Sequence, residues 1–151
     1  MEYWILLFII IFGYLGMINV IYFLAPDEKW NTFPEKCEIN TKCTRVADSN
    51  NRGYGLKPIQ LNNTIEHVQR EIVQIIKNKP RMKIINEEEG FIHATDVTFF
   101  FKFNDDLAIR IFESENKINI WLQSQSRLGL YDFNVNERRV QEIHKEISVL
   151  A

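Results

Sequence analysis

The stretch Gln123 to Arg139, QSQSRLGLYDFNVNERR, gathers more charged and hydrogen-bonding side chains around one glycine than a connecting loop requires. Arg127 and Arg139 carry planar guanidinium forks that match a carboxylate or phosphate through two parallel bonds. Ser126 and Asn136 add neutral donors and acceptors, Asp132 can orient one arginine, and Gly129 permits a tight turn. Where a helix begins, the free N–H groups of its first turn add positive potential. Ser126, Arg127, Asp132, Asn136 and Arg139 are therefore the candidate ligand-binding set, for a carboxylate or a phosphate-bearing, anionic or lipid-like small molecule. The same residues also suit an architectural part, in which Arg127 and Asp132 clamp the loop and Asn136 caps the helix. The architectural reading is the simpler one.

Other reactive side chains form no recognisable catalytic set, and no catalytic residue is assigned. No Ser or Cys sits in a nucleophile elbow. His93 falls on an expected strand, where packing is its commoner role. His67 and His144 fall on expected helices without a second His four residues on, so no metal or cofactor site is legible. Asp105 and Asp106 are expected to make a turn after Asn104. Cys37 and Cys43 are spaced C-x5-C. A disulfide that pins a short loop, two inert thiols and a metal pair all remain open. The disulfide is favoured, because the spacing is wrong for a zinc pair and no His lies near.

The elements that must hold these residues begin with an anchor. Tyr3 to Ala25 contains no charged residue. As a helix it is long enough to cross a bilayer core of about 30 Å. The start of the chain lacks the basic residues and cleavage motif of a signal peptide, so a retained single-pass anchor over 1–26 is expected. Lys29, Lys36, Lys42 and Arg45 on the far flank argue for a cytoplasmic domain, whereas a disulfide argues for an extracytoplasmic one. The extracytoplasmic side is preferred. Residues 27–55 show no period of 2 or 3.6 and are expected to form an irregular tether carrying the Cys pair.

Residues 56–151 read as one α+β domain. Asn63, with Glu66 three residues on, is the expected N-cap of a helix whose apolar face is Ile65, Val68, Ile72, Ile75 and Ile76, ended by Pro80. Alternating runs follow at 82–86, at 91–95 and 97–103 (one long strand or two short ones around Asp96), at 107–113 and at 117–123, separated by short turns, which is an antiparallel meander. Phe99, Phe101 and Phe103 are expected in the core. Phe100 would point the opposite way, towards a partner or a membrane surface. A last helix is expected from Asn136, with Val135 and Val140 as a hydrophobic staple, Glu137 at the first helical position, and a stripe of Val140, Ile143, Ile147 and Leu150. The expected fold is a two-layer domain, an antiparallel sheet of four to five strands packed by two helices on one face.

Three motifs, CEINTKC from Cys37 to Cys43, FFFKFNDD from Phe99 to Asp106, and the stretch Gln123 to Arg139, together resemble the uncharacterised family known as domain of unknown function 1499. Its members carry a CPxxxNC-like cysteine pair, a phenylalanine-rich strand leading into an Asp-Asp turn, and a signature near RSxSRxGxxDxGxNRxR. The resemblance runs from Cys37 to Ile147. Gln123 stands where the family usually has Arg, Asn134 where it often has Gly, and Glu137 where it often has Arg. Two cations are lost and one anion gained, which weakens an anion site. The resemblance implies no established activity.

Net charge is −2 with 25% charged residues, so no nucleic-acid partner is expected. The expectation is a membrane-anchored, non-catalytic domain that binds a protein partner or serves as an accessory component of a membrane assembly. A small-molecule binder or enzyme using the Arg127–Arg139 signature is the alternative.

Overall fold

The computed structural model describes residues 2–25, 27–99 and 101–150. Pro26 and Phe100 lie outside the described residues, and with them the expected helix stop at Pro26 and the outward contact at Phe100. Helix α1 spans Glu2–Leu24, and its described side chains from Tyr3 onward pack against no buried core. The window Tyr3–Leu24 is long and apolar enough to cross a membrane.

Four long strands form the meander: β3 (Met82–Glu88), β4 (Phe91–Val97), β5 (Asn104–Ser114) and β6 (Lys117–Ser126). Two short strands, β1 (Cys43–Val46) and β2 (Ile59–Leu61), both pair antiparallel with β6, end to end along its outer edge. The sheet therefore has six strands rather than four to five, in the order β1-β6-β5-β4-β3 with β2 also on β6. Cys43–Val46 shows no alternation because all four of its residues are buried. Helices α2 (Ile65–Lys77) and α3 (Val135–Ser148) lie on one face. Their apolar stripes, Val68, Ile72, Val73 and Ile76 with Val140, Ile143 and Ile147, meet Val46, Ile92, Ala94, Leu107, Ile109, Ile111, Ile120 and Leu122 of the sheet. Burying each such side chain stabilises the fold by about 1.5–3 kcal/mol before entropy is counted.

Both helix starts differ from the sequence expectation. Thr64, not Asn63, caps α2, its hydroxyl accepting the His67 N–H at 3.3 Å, while Asn63 Oδ1 accepts the Thr64 N–H. Helix α3 begins at Val135 after Asn134, which is left-handed at φ 61, so Asn136 lies inside the first turn and Val135 is not outside it. Strand β4 stops at Val97, and Phe99 and Phe101 sit in an exposed loop rather than in the core. Asp105 and Asp106, expected in a turn, are buried strand residues of β5.

The face away from the helices is lined as well. Residues 28–36 follow no regular element and cross it. Trp30 stacks on His93 with ring centroids 4.8 Å apart, and its carbonyl accepts from Asn86 Nδ2 at 3.1 Å. Phe33 reaches Trp121, the Pro34 carbonyl accepts from Arg45, and the Lys36 carbonyl accepts from Gln123. Cys37 is then bonded to Cys43 at the start of β1, with Cα atoms 5.8 Å apart. Of the openings left in the sequence reading, the structure takes the disulfide.

Candidate functional site

Period-2 pairing sorts the signature residues onto two faces. Asp96, Asp105, Ser124 and Ser126 share the helix side, since Asp96 pairs with Asp105, Asp105 with Ser126 and Leu107 with Ser124. His93, Asp106 and Gln123 share the other side, through the pairs His93–Ala108 and Ala108–Gln123. Adjacent acids in β5 therefore serve two separate clusters.

On the helix side the centre is Arg139, 5% exposed. Its Nε and Nη2 donate to Asp96 Oδ2 at 3.0 and 2.9 Å, and Nη2 also donates to Asp105 Oδ2 at 2.8 Å. Its Nη1 donates to Ser124 Oγ and to Asn136 Oδ1. The Asn136 amide donates in turn to Asp132 Oδ2, Ser126 Oγ and the Lys42 carbonyl, tying α3 to β6 and to the start of β1. Asp132 does the capping expected of Asn136: its carboxylate accepts the N–H groups of Asn134 and Asn136, both at 3.1 Å. Its charge partner is Arg52 at 2.9 Å, not Arg127.

Electrostatics within this cluster run both ways. Burial pushes the Asp105 carboxyl above its usual range, with the charge of Arg139 opposing. Burial pushes Asp132 the same way, but the donations from Asn136 and Arg52 outweigh it and hold the carboxyl below its usual range. Beside the cluster, Arg81, Thr98, Phe99, Val135, Arg138 and Glu142 line a cleft of about 840 Å3 that reaches Asp96 and Arg139.

On the other side Arg127 holds Asp106 in a fork, Nε to Oδ2 and Nη2 to Oδ1, each at 2.9 Å. The hydrogen bond to Asp106 is the main reason that the Arg127 guanidinium is held more firmly protonated than usual. His93, fully buried, meets Asp106 Oδ1 through Nε2 at 2.7 Å. The Trp30 N–H donates to His93 Nδ1 at 3.1 Å, so Nδ1 keeps its lone pair and the ring proton sits on Nε2, facing Asp106. Arg127 Nη2 also reaches the Glu28 carbonyl at 3.4 Å. A second buried arginine, Arg45, donates to Gln123 Oε1 at 2.7 Å and lies 4.9 Å over the Phe33 ring.

The expected set thus divides. Ser126, Asp132, Asn136 and Arg139 come together with Ser124, Asp96 and Asp105, while Arg127 stands on the opposite face with Asp106 and His93. Sequence reading missed Asp96, Asp105, Asp106 and Arg52 as their partners. The Asp-Asp pair was visible, but its arginine partners lie 21 and 34 positions away and nothing local marks them. The departures from the family pattern acquire reasons. Gln123 accepts from Arg45, so an acceptor is useful there. Asn134 occupies a left-handed position that Gly or Asn best tolerates. Glu137 lies 3.9 Å from Arg52. Half-buried His144 has Nε2 by the Lys57 carbonyl, and exposed His67 lies by Arg70. Among the described residues, no group of three or more His, Cys, Asp or Glu side chains could hold a metal ion.

Among curated proteins none matches the chain. The family model described as "Protein of unknown function (DUF1499)" matches residues 35–147, from just before the Cys37–Cys43 bridge to Ile147, the last buried residue of α3, and the chain therefore belongs to that family.

Proposed function

We propose that the chain is a single-pass membrane protein whose disulfide-bonded α+β domain stands on the extracytoplasmic side and acts by binding a protein partner, as an accessory component of a membrane assembly. One observation carries the non-catalytic part. Both signature arginines are spent on buried carboxylates, Arg127 on Asp106 and Arg139 on Asp96 and Asp105, so the signature holds strand, loop and helix together. The apolar α1 supports the anchor, and the Cys37–Cys43 bridge supports an oxidising compartment. Purification from native membranes in mild detergent tests the reading. A stoichiometric protein that travels with the chain is expected. A chain that runs alone, in its anchored form, would overturn the accessory role.

The cleft beside Arg139 favours a second reading. Arg81 and Arg138 line it, next to the apolar Phe99 and Val135, which suits an anionic ligand with an apolar part. A thermal shift on titrating inorganic phosphate, abolished in Arg138→Ala, would favour this reading over the first.

A further inference from the structure

We infer that one end of the domain, formed by the loop of the described residues 98–99 and 101–103 and by the loop 127–134, rests in the interface of the same bilayer that holds α1. The inference builds on the proposed anchor and adds an orientation to it. Both loops leave the sheet at a single row: Val97 pairs with Asn104, and the Arg127 N–H donates to the Asn104 carbonyl at 3.2 Å. The loops expose Phe99 (73%), Leu130 (77%), Tyr131 (54%) and Phe133 (76%), an apolar display that a water-facing loop does not need.

Chain connectivity brings the bilayer to this end. Arg127 holds the Glu28 carbonyl, and α1 ends at Leu24, four residues earlier. Four residues extend at most about 14 Å, so the end of α1 cannot be far from Arg127. The first residue of loop 127–134 is Arg127 itself. A bilayer holding α1 therefore lies within reach of these side chains, and aromatic residues favour that interface.

Charge follows the same axis. Lys29, Arg81, Lys102 and Arg138 gather at the loop end, with Lys102 5.4 Å over the Phe99 ring. Asp27, Glu28, Asp96 and Glu142 are the acids beside them, with Asp96 3.5 Å from Arg81. The opposite end carries the turns after β3 and β5, where Glu87, Glu88, Glu89, Glu113 and Glu115, all exposed, outnumber Arg70 and Lys117. Strand β5 alone separates the two ends by about 33 Å. Anionic headgroups attract the first end and repel the second. The loop backbone is also set in advance: Phe133 and Lys102 are held at φ 51 and 55, a conformation that side-chain-bearing residues adopt only when their surroundings demand it.

The test places a photo-reactive benzophenone amino acid at Leu130, Phe133, Phe99 or Glu115 of the full chain, reconstituted in vesicles of phosphatidylcholine and phosphatidylglycerol. Irradiation should give several-fold more lipid adduct at Leu130, Phe133 and Phe99 than at Glu115, read by mass. All four side chains are exposed, so the variants should fold. Equal labelling at Glu115, no lipid adduct at any site, or adducts only to a second copy of the chain would overturn the inference. Alkaline carbonate extraction separates its failure from that of the anchor. A chain that stays in the vesicle without lipid adducts defeats the interface alone, whereas a chain released by carbonate defeats the anchor.

Discussion

Arg139 Nη2 lies 2.8 Å from Asp105 Oδ2, and this bond joins the second turn of α3 to the start of β5 with both groups out of water. Removing one partner of such a pair leaves the other charge buried and uncompensated, at a cost of about 3–5 kcal/mol. Arg139→Ala is therefore expected to lower the urea midpoint of the full chain in detergent by that equivalent, with the unfolding slope unchanged. Arg138→Ala, one position away and exposed, should change it by less than about 0.5 kcal/mol.

Asp132 and Asp105 should give opposite pH dependences. Asp132 titrates lower in the fold than in the unfolded chain, so its contribution is present above about pH 4 and is lost as the pH falls through the lower folded value. The stability gap between wild type and Asp132→Asn should thus be constant near neutrality and shrink in acid. Asp105 titrates higher in the fold, so its contribution is full below about pH 4 and is lost as the pH rises through its raised folded value. The wild type should gain on Asp105→Asn as the solution is acidified. Urea titrations at a series of pH values read both slopes.

Trp30 covers His93 by stacking its ring on it, so Trp30→Ala should cost about 2 kcal/mol in lost burial and ring contact, while the backbone N–H that reaches His93 Nδ1 stays in place. The loss should be local. Amide hydrogen exchange is expected to rise across 28–36 while α3 keeps its protection. Uniform acceleration over the whole domain would contradict the local docking.

Asn134 sits at φ 61 and donates nothing to the helix cap, although its side-chain oxygen accepts from Arg52 Nη2 at 2.8 Å. Asn134→Gly should fall within about 1 kcal/mol of wild type, because relief of the backbone offsets the lost contact. Asn134→Val should cost more, about 1–2 kcal/mol, since a β-branched residue resists this conformation. Thermal unfolding of the two variants side by side gives the comparison.

Much of the scaffold was readable because it follows a period. The apolar stripe of α2 and the alternation Leu107-Ile109-Ile111 and Ile118-Ile120-Leu122 lie in the core as read, on the face the helices cover. The failures occur where a long-range partner outweighs local preference. Asn104-Asp105-Asp106 has the composition of a turn, yet Arg139 and Arg127 draw the two acids into a strand from opposite faces. Cys43–Val46 is too short and too polar to read as a strand, and it becomes one because β6 offers an open edge and Gln123 meets Arg45. The signature itself was found correctly as a concentration of groups. Its division between two faces depends on a register that no local spacing reveals.

The docking of residues 28–36 also has a mechanical side. In sequence only three positions separate the end of α1 at Leu24 from the docked Glu28, so a pull through the anchor is not absorbed by a long leash. It arrives first at Glu28, then at Trp30, Phe33 and Pro34, and strips the covering segment one contact after another instead of loading them together. The peel stops at Cys37, whose covalent bond to Cys43 passes the remaining tension straight into the edge of the sheet. The domain is thus built like a seam with a rivet at its end: the first contacts yield under small force, and the six-stranded body behind them stays closed.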